Sequence, residues 1–113
     1  MTEILNITNS SYFGQPQYTI YYQTTGEEPI CVPLPAGVWD KDSIVDSLIR
    51  SKYPQDKVEA IVNNHFLNIA EWLDRKFAGS TESFIDIEYD SMQEWRKISK
   101  DLAVKALEMY PAI

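Results

Sequence analysis

The pattern of apolar and polar positions divides the chain into three parts. Residues 1–36 alternate with period two in short runs; residues 40–78 repeat every three to four positions, and residues 90–110 do so again. In the first part Glu3–Thr8 (EILNIT) is apolar enough for a strand, though its alternation is imperfect. Asn9 to Gln17 carries Asn9, two serines, Gly14 and Pro16, which is loop chemistry. Gln17–Thr24 (QYTIYYQT) is the cleanest strand, with Tyr18, Ile20 and Tyr22 on one face and Thr19, Tyr21 and Gln23 on the other. A turn at Thr25-Gly26-Glu27-Glu28 leads into Pro29–Leu34 (PICVPL), where Ile30, Val32 and Leu34 share a face and Pro33, lacking a backbone donor, places the strand at a sheet edge or ends it. Together these segments predict a small antiparallel meander.

In the middle part Asp40 is the N-cap of a helix whose stripe is Ile44, Val45, Leu48, Ile49 and Tyr53. That helix ends at Tyr53, because a residue before proline is pushed out of the α region, and Pro54 opens the next one. The second stripe is Val58, Ile61, Val62, His65, Phe66, Ile69, Trp72 and Leu73. Asn68 followed by Glu71 reads as a capping box and predicts a break near Asn68; Gly79 ends the segment. A stripe this wide has to be covered, so the helical middle is expected to hide its apolar side beneath the sheet, with the flanks arranged around it.

Phe84–Tyr89 (FIDIEY) alternates, which predicts a fourth strand or an extended connection. Asp90 with Gln93, or Ser91 with Glu94, caps a last helix buried along Met92, Trp95, Ile98, Leu102, Ala103, Ala106 and Tyr110. The expected fold is α+β in one domain: an antiparallel sheet of three or four strands, mostly N-terminal, covered on one face by three or four helices. Trp39, Trp72 and Trp95 are expected to bury against one another or the sheet.

Composition narrows the partners. Ten basic against seventeen acidic residues give a formal charge of −7, which argues against nucleic acid or an anionic membrane, since phosphate binding is driven by Lys and Arg. No window approaches the ~18 apolar residues of a membrane span, and the start MTEILNITNSS lacks the basic and apolar regions of a signal peptide. A single cysteine, Cys31, rules out an intramolecular disulfide. These features predict a soluble cytoplasmic protein.

The chemistry-bearing residues are few. Cys31 and His65, with Asn63 and Asn64 near the histidine, are the only material for a nucleophilic site, but no local signature surrounds the cysteine. Flanked by Ile30 and Val32, Cys31 reads as a small buried hydrophobe, and His65 falls on an apolar stripe as a core histidine would. Asp86, Glu88 and Asp90 are spaced by two and would project from one strand face, with Glu82 and Glu94 nearby. Such a row suits a hard cation, a solvated face or an imitation of phosphate spacing, but it lacks the glycine and ligand spacing of an EF-hand loop. Tyr18, Tyr21 and Tyr22, preceded by Tyr12 and Phe13, make the sheet aromatic, and Tyr21 is the one pointing away from the helices. No phosphate loop, paired-cysteine ligand set or serine elbow occurs, so no cofactor, metal or small-molecule ligand is expected.

Two stretches, IRSKYPQDKVEAIVNNHFLN (Ile49–Asn68) and MQEWRKISKDLAVKAL (Met92–Leu107), resemble segments of small uncharacterised proteins of bacterial prophage-type gene clusters. The matching residues are Tyr53, Asp56, Ala60, Ile61 and Asn64, then Met92, Gln93, Trp95, Arg96 and Lys100. The resemblance implies a phage structural, assembly or accessory role and no catalytic residues. The function expected is a non-enzymatic interaction or assembly protein, binding another protein or itself, with Tyr21, Asp86, Glu88 and Asp90 as its surface. Two alternatives stand beside it: an acidic inhibitor that blocks a nucleic-acid-binding protein, and a small enzyme using Cys31 and His65.

Overall fold

The N-terminal ladder is longer than the period-two runs predict. The computed structural model describes residues 1–111, leaving aside the side chain of Tyr12. Three antiparallel strands, β1 (Thr2–Tyr12), β2 (Gln15–Thr24) and β3 (Ile30–Pro33), lie in the order β1-β2-β3. The expected loop from Asn9 to Gln17 is instead the end of a hairpin, with Asn9 opposite Tyr18, Ser10 opposite Gln17 and Tyr12 opposite Gln15. Phe13 (φ 49°) and Gly14 (φ 77°) form its two-residue turn. Positive φ at both positions gives the turn whose twist matches the flanking strands. Polar residues serve here because this end of the ribbon is exposed. The Pro16 carbonyl accepts from the Gly37 N–H at 2.7 Å on the side away from β1, so the missing proline N–H is no loss to the β1–β2 ladder.

The imperfect alternation of β1 has a geometric cause. Its register with β2 shifts between Ile4 and Asn6, leaving Leu5 as an extra residue. The bulge turns Ile4, opposite Tyr22, and Ile7, opposite Ile20, onto the same face although they are three positions apart.

Helices α1 (Lys41–Lys52) and α3 (Ile87–Met109) cover that face, giving an α+β fold. The core joins Ile7, Tyr18, Ile20, Tyr22, Val32 and Leu34 of the strand region to Trp39, to Ile44 and Leu48 of α1, and to Trp95, Leu102, Ala103 and Ala106 of α3. Asp40 caps α1 as its sequence predicts, its Oδ2 accepting from the Ser43 N–H at 3.0 Å. The polar tips of two large core aromatics are satisfied: Trp95 Nε1 donates to the Leu48 carbonyl (3.0 Å), and the Tyr22 hydroxyl pairs with the Ser51 hydroxyl (2.8 Å). Each tryptophan finds a different aromatic partner, Trp39 stacking on Tyr18, Trp95 tilting on Tyr22 and Trp72 on Phe84.

The helical middle is not the centre of this arrangement. Helix α2 (Gln55–Phe77) runs unbroken through Asn68, whose amide is engaged elsewhere and caps nothing. Only Ile61 of α2 is fully buried, and α3 is the element of the body that α2 packs against. From there the helix leaves the body. At ~1.5 Å per residue its 23 residues span ~34 Å. The molecule measures 63 × 27 × 22 Å with a radius of gyration of 18.2 Å, against roughly 13 Å for a compact chain of this size. The predicted cover over Val58–Leu73 is thus absent for most of its length. Residues 80–86 return along α2 in extended form without strand pairing, so no fourth strand forms, and α3 begins at Ile87, before the predicted cap at Asp90.

Candidate functional site

The two sides of α2 beyond Ile61 differ in what they meet. At about 100° per residue, His65, Asn68 and Trp72 fall on one side. The returning 80–86 segment is clasped there. Trp72 Nε1 donates to the Glu82 carbonyl (2.9 Å), its ring meets Phe84 (5.7 Å between centroids), and Lys76 Nζ sits 4.9 Å from the same indole. Asp86 closes the clasp. Its Oδ2 accepts from His65 Nδ1 (2.9 Å) and Asn68 Nδ2 (3.1 Å), while its Oδ1 accepts from the Tyr89 N–H (3.2 Å) as the N-cap of α3. The Tyr89 ring stacks on the imidazole at 3.6 Å and 9°.

Asp86 is therefore held below the usual carboxylate range, first by the His65 hydrogen bond and then by Asn68, with burial working the other way. An ionised Asp86 only accepts, so Nδ1 of His65 carries the proton. A carboxylate that fixes a histidine tautomer is half of a nucleophilic triad. The other half is missing among the described residues: no hydroxyl or thiol is hydrogen-bonded to His65. Cys31, expected to be buried, is exposed on β3 beside a hollow lined by Asp46, Ser47 and Arg50, and makes no bond to His65. Within the clasp the Asp86 carboxylate is engaged on both oxygens, by His65 and Asn68 at Oδ2 and by the Tyr89 N–H at Oδ1.

The acidic row takes a different form from the one the alternation predicts. Asp86 is buried as a cap, whereas Glu88 and Asp90 are exposed in the first turn of α3, where they favour the positive end of its dipole. Since the segment is not a strand, the carboxylates do not line one face. No group of three or more His, Cys, Asp or Glu side chains that could hold a metal occurs among the described residues. Tyr21 does lie on the outer sheet face, half-buried between Asn6 and Cys31 on the neighbouring strands. No described helix is long and apolar enough to cross a membrane.

The opposite side of α2 carries a second apolar row. Phe66, Ala70, Leu73 and Phe77 follow a four-three-four spacing that keeps them within about 60° on the helix surface, with Leu67 beside them. All are exposed: Phe66 by 64 %, Leu67 by 62 %, Leu73 by 40 % and Phe77 by 89 %. The stripe drawn from sequence merged Phe66 and Leu73 with His65 and Trp72, although the two sets face different ways. Leu67 and Phe77, left outside that stripe, were the signal of a helix apolar on two sides. Searched against known families, curated proteins and solved structures, the chain matches no family model, no curated protein and no solved structure.

Proposed function

We propose that this is a non-enzymatic interaction or assembly protein whose working part is the exposed side of the α2 arm. The observation that carries this reading is the row Phe66, Leu67, Leu73 and Phe77, exposed together on a helix that projects from a folded body. At ~200 Å² of side-chain surface for each Phe, the two phenylalanines alone present roughly 300 Å² of apolar area. With the leucines added, the patch reaches the ~300–600 Å² that marks functional surface on monomers. A solvent-facing helix with no partner to meet would carry polar residues at these positions.

The resemblance of Ile49–Asn68 and Met92–Leu107 to proteins of prophage-type clusters supports an assembly role, since the first of these stretches is the root of the arm. The acidic-inhibitor reading has less behind it, because Asp86 is sequestered and Glu88 and Asp90 stand on a helix turn apart from Glu82. The test is photo-crosslinking in the native cell. A photoreactive residue replacing Leu67 gives protein adducts, and one replacing Lys105 on α3 gives none. Absence of adducts at both Leu67 and Phe77 would remove the reading.

A further inference from the structure

We infer that the occupant of the arm is the arm of a second copy of this chain, packed antiparallel with the two-fold axis beside Ala70. The inference rests on the reading of the arm as a docking element and names its partner. Three features of α2 select a second copy in this orientation.

The first is self-complementarity. A two-fold axis between Ile69 and Ala70 sets Phe66 of one copy against Leu73 of the other, and Val62 against Phe77. Each large side chain at one end thereby meets an apolar residue at the other, and the small Ala70 lies where the two backbones come closest. Spacing of four and three is also what lets two helices keep one seam in register over several turns.

The second is charge. Residues 60–70 contain no Asp, Glu, Lys or Arg, although the chain as a whole is at −7. Across α2 the acids Asp56, Glu59, Glu71 and Asp74 are nearly balanced by Lys57, Arg75 and Lys76, so two arms meet without the repulsion the rest of the surface would bring. Both ends mix signs, Asp56 and Glu59 with Lys57 at the start and Glu71 and Asp74 with Arg75 and Lys76 at the finish, so neither end bars a second arm. Helix dipoles oppose favourably only in the antiparallel arrangement.

The third is area. Two copies of the stripe present roughly 1,000 Å² of apolar surface before any polar rim is counted, close to the ~1,200–2,000 Å² of a standard stable interface. The arm, with its uncharged centre and charged ends, has the anatomy of a whole interface with core and rim.

The test uses the full purified chain. Size-exclusion with light scattering up to about 100 µM gives a mass of twice 13.0 kDa, a range that captures micromolar association. Phe66→Asp and Leu73→Asp each weaken association roughly 100-fold or more, as for the centre of an interface, while circular dichroism is unchanged because neither side chain packs in the body. Orientation is read by disulfides in a Cys31→Ser background. Phe66→Cys and Leu73→Cys cross-link when mixed, and neither cross-links alone. Self-cross-linking of each variant by itself means parallel arms and overturns the inference. A wild-type chain that stays monomeric overturns it too. If that monomer still forms an adduct from position 67 with a different protein in cells, only the second-copy assignment falls; if it forms none, the docking reading falls as well.

Discussion

The body and the arm are built from the same kinds of side chain and treat them in opposite ways. In the body, Tyr18, Ile20 and Tyr22 stand on alternate positions of β2, and each is buried in the core that Trp39, α1 and α3 close. In the arm, Phe66, Leu73 and Phe77 stand on successive turns of α2, and each faces solvent. The difference lies in the third dimension, not in the pattern. A sheet presents its apolar side chains on one broad face, which two helices can cover at once. A helix apolar on two sides needs two covers, and α2 receives only the thin 80–86 segment on one of them. The lesson is that periodicity states what must be buried, while the number of available layers decides whether it is buried within one chain.

The sharpest way to break this comparison is to make the same deletion in both regions. Leu48 is fully buried among the strands and α3, so Leu48→Ala should cost about 2–5 kcal/mol, the sum of lost transfer energy and a cavity that neighbours cannot fill. Chemical denaturation of the monomeric Leu73→Asp background reads this cleanly, since association then adds nothing to stability. A loss below about 1 kcal/mol would show that the core around α1 relaxes freely and is not a fixed body.

Acid should loosen the joint between arm and body before it touches either. The carboxyl of Asp86 titrates lower in the folded protein than in the unfolded chain, so its contribution is complete above the usual carboxylate value of 3.8. It is lost as pH falls through the lowered folded value, where protonation makes the carboxyl a weaker acceptor for His65, Asn68 and the Tyr89 N–H. Hydrogen exchange at the Tyr89 amide should therefore accelerate below about pH 4 relative to amides of β2, after correction for intrinsic rates. In Asp86→Asn that selective acceleration should be gone; its persistence would mean the joint is held by packing of Phe84 and Tyr89 alone.

Much of this division was legible in the chain. Period two in Gln17–Thr24 and the N-cap at Asp40 give β2 and the start of α1 directly, because each rests on interactions within a few residues. The hairpin tip was hidden because Ser10, Ser11 and Pro16 are loop residues by type, and only the positive φ of Phe13 and Gly14 closes the ladder. The clasp was hidden for another reason. His65 and Asp86 lie 21 positions apart, and the FIDIEY alternation that suggested a strand happens to coincide with a cap. The arm's exposed stripe was written in the spacing of residues 66–77, but the assumption that apolar helices are covered concealed it.

A smaller effect of opposite sign tests how well the body is finished. The Ser99 hydroxyl is wholly enclosed on the buried side of α3 and has no hydrogen-bond partner. Burying an unpaired hydroxyl costs free energy, and alanine both removes that cost and favours the helix. Ser99→Ala should raise stability by about 1 kcal/mol, visible as a higher melting temperature. A marked loss instead would mean that the hydroxyl is engaged in the folded protein.

The smallest expected change completes the pair opened by Leu48. Leu67 is the same residue type on the same kind of element, yet 62 % exposed. Deleting its side chain forfeits little burial, and alanine is at least as good a helix former as leucine. In the Leu73→Asp background, where arms do not pair, Leu67→Ala should shift unfolding by less than about 0.5 kcal/mol in either direction. In the wild-type chain the same change should instead make the apparent stability depend less on protein concentration, because whatever Leu67 contributes arises only when a second surface arrives. A loss of 1.5 kcal/mol or more in the unpaired background would show that the arm folds onto its own body in solution. The contrast between a covered sheet and an uncovered helix would then be one of conformation and not of design.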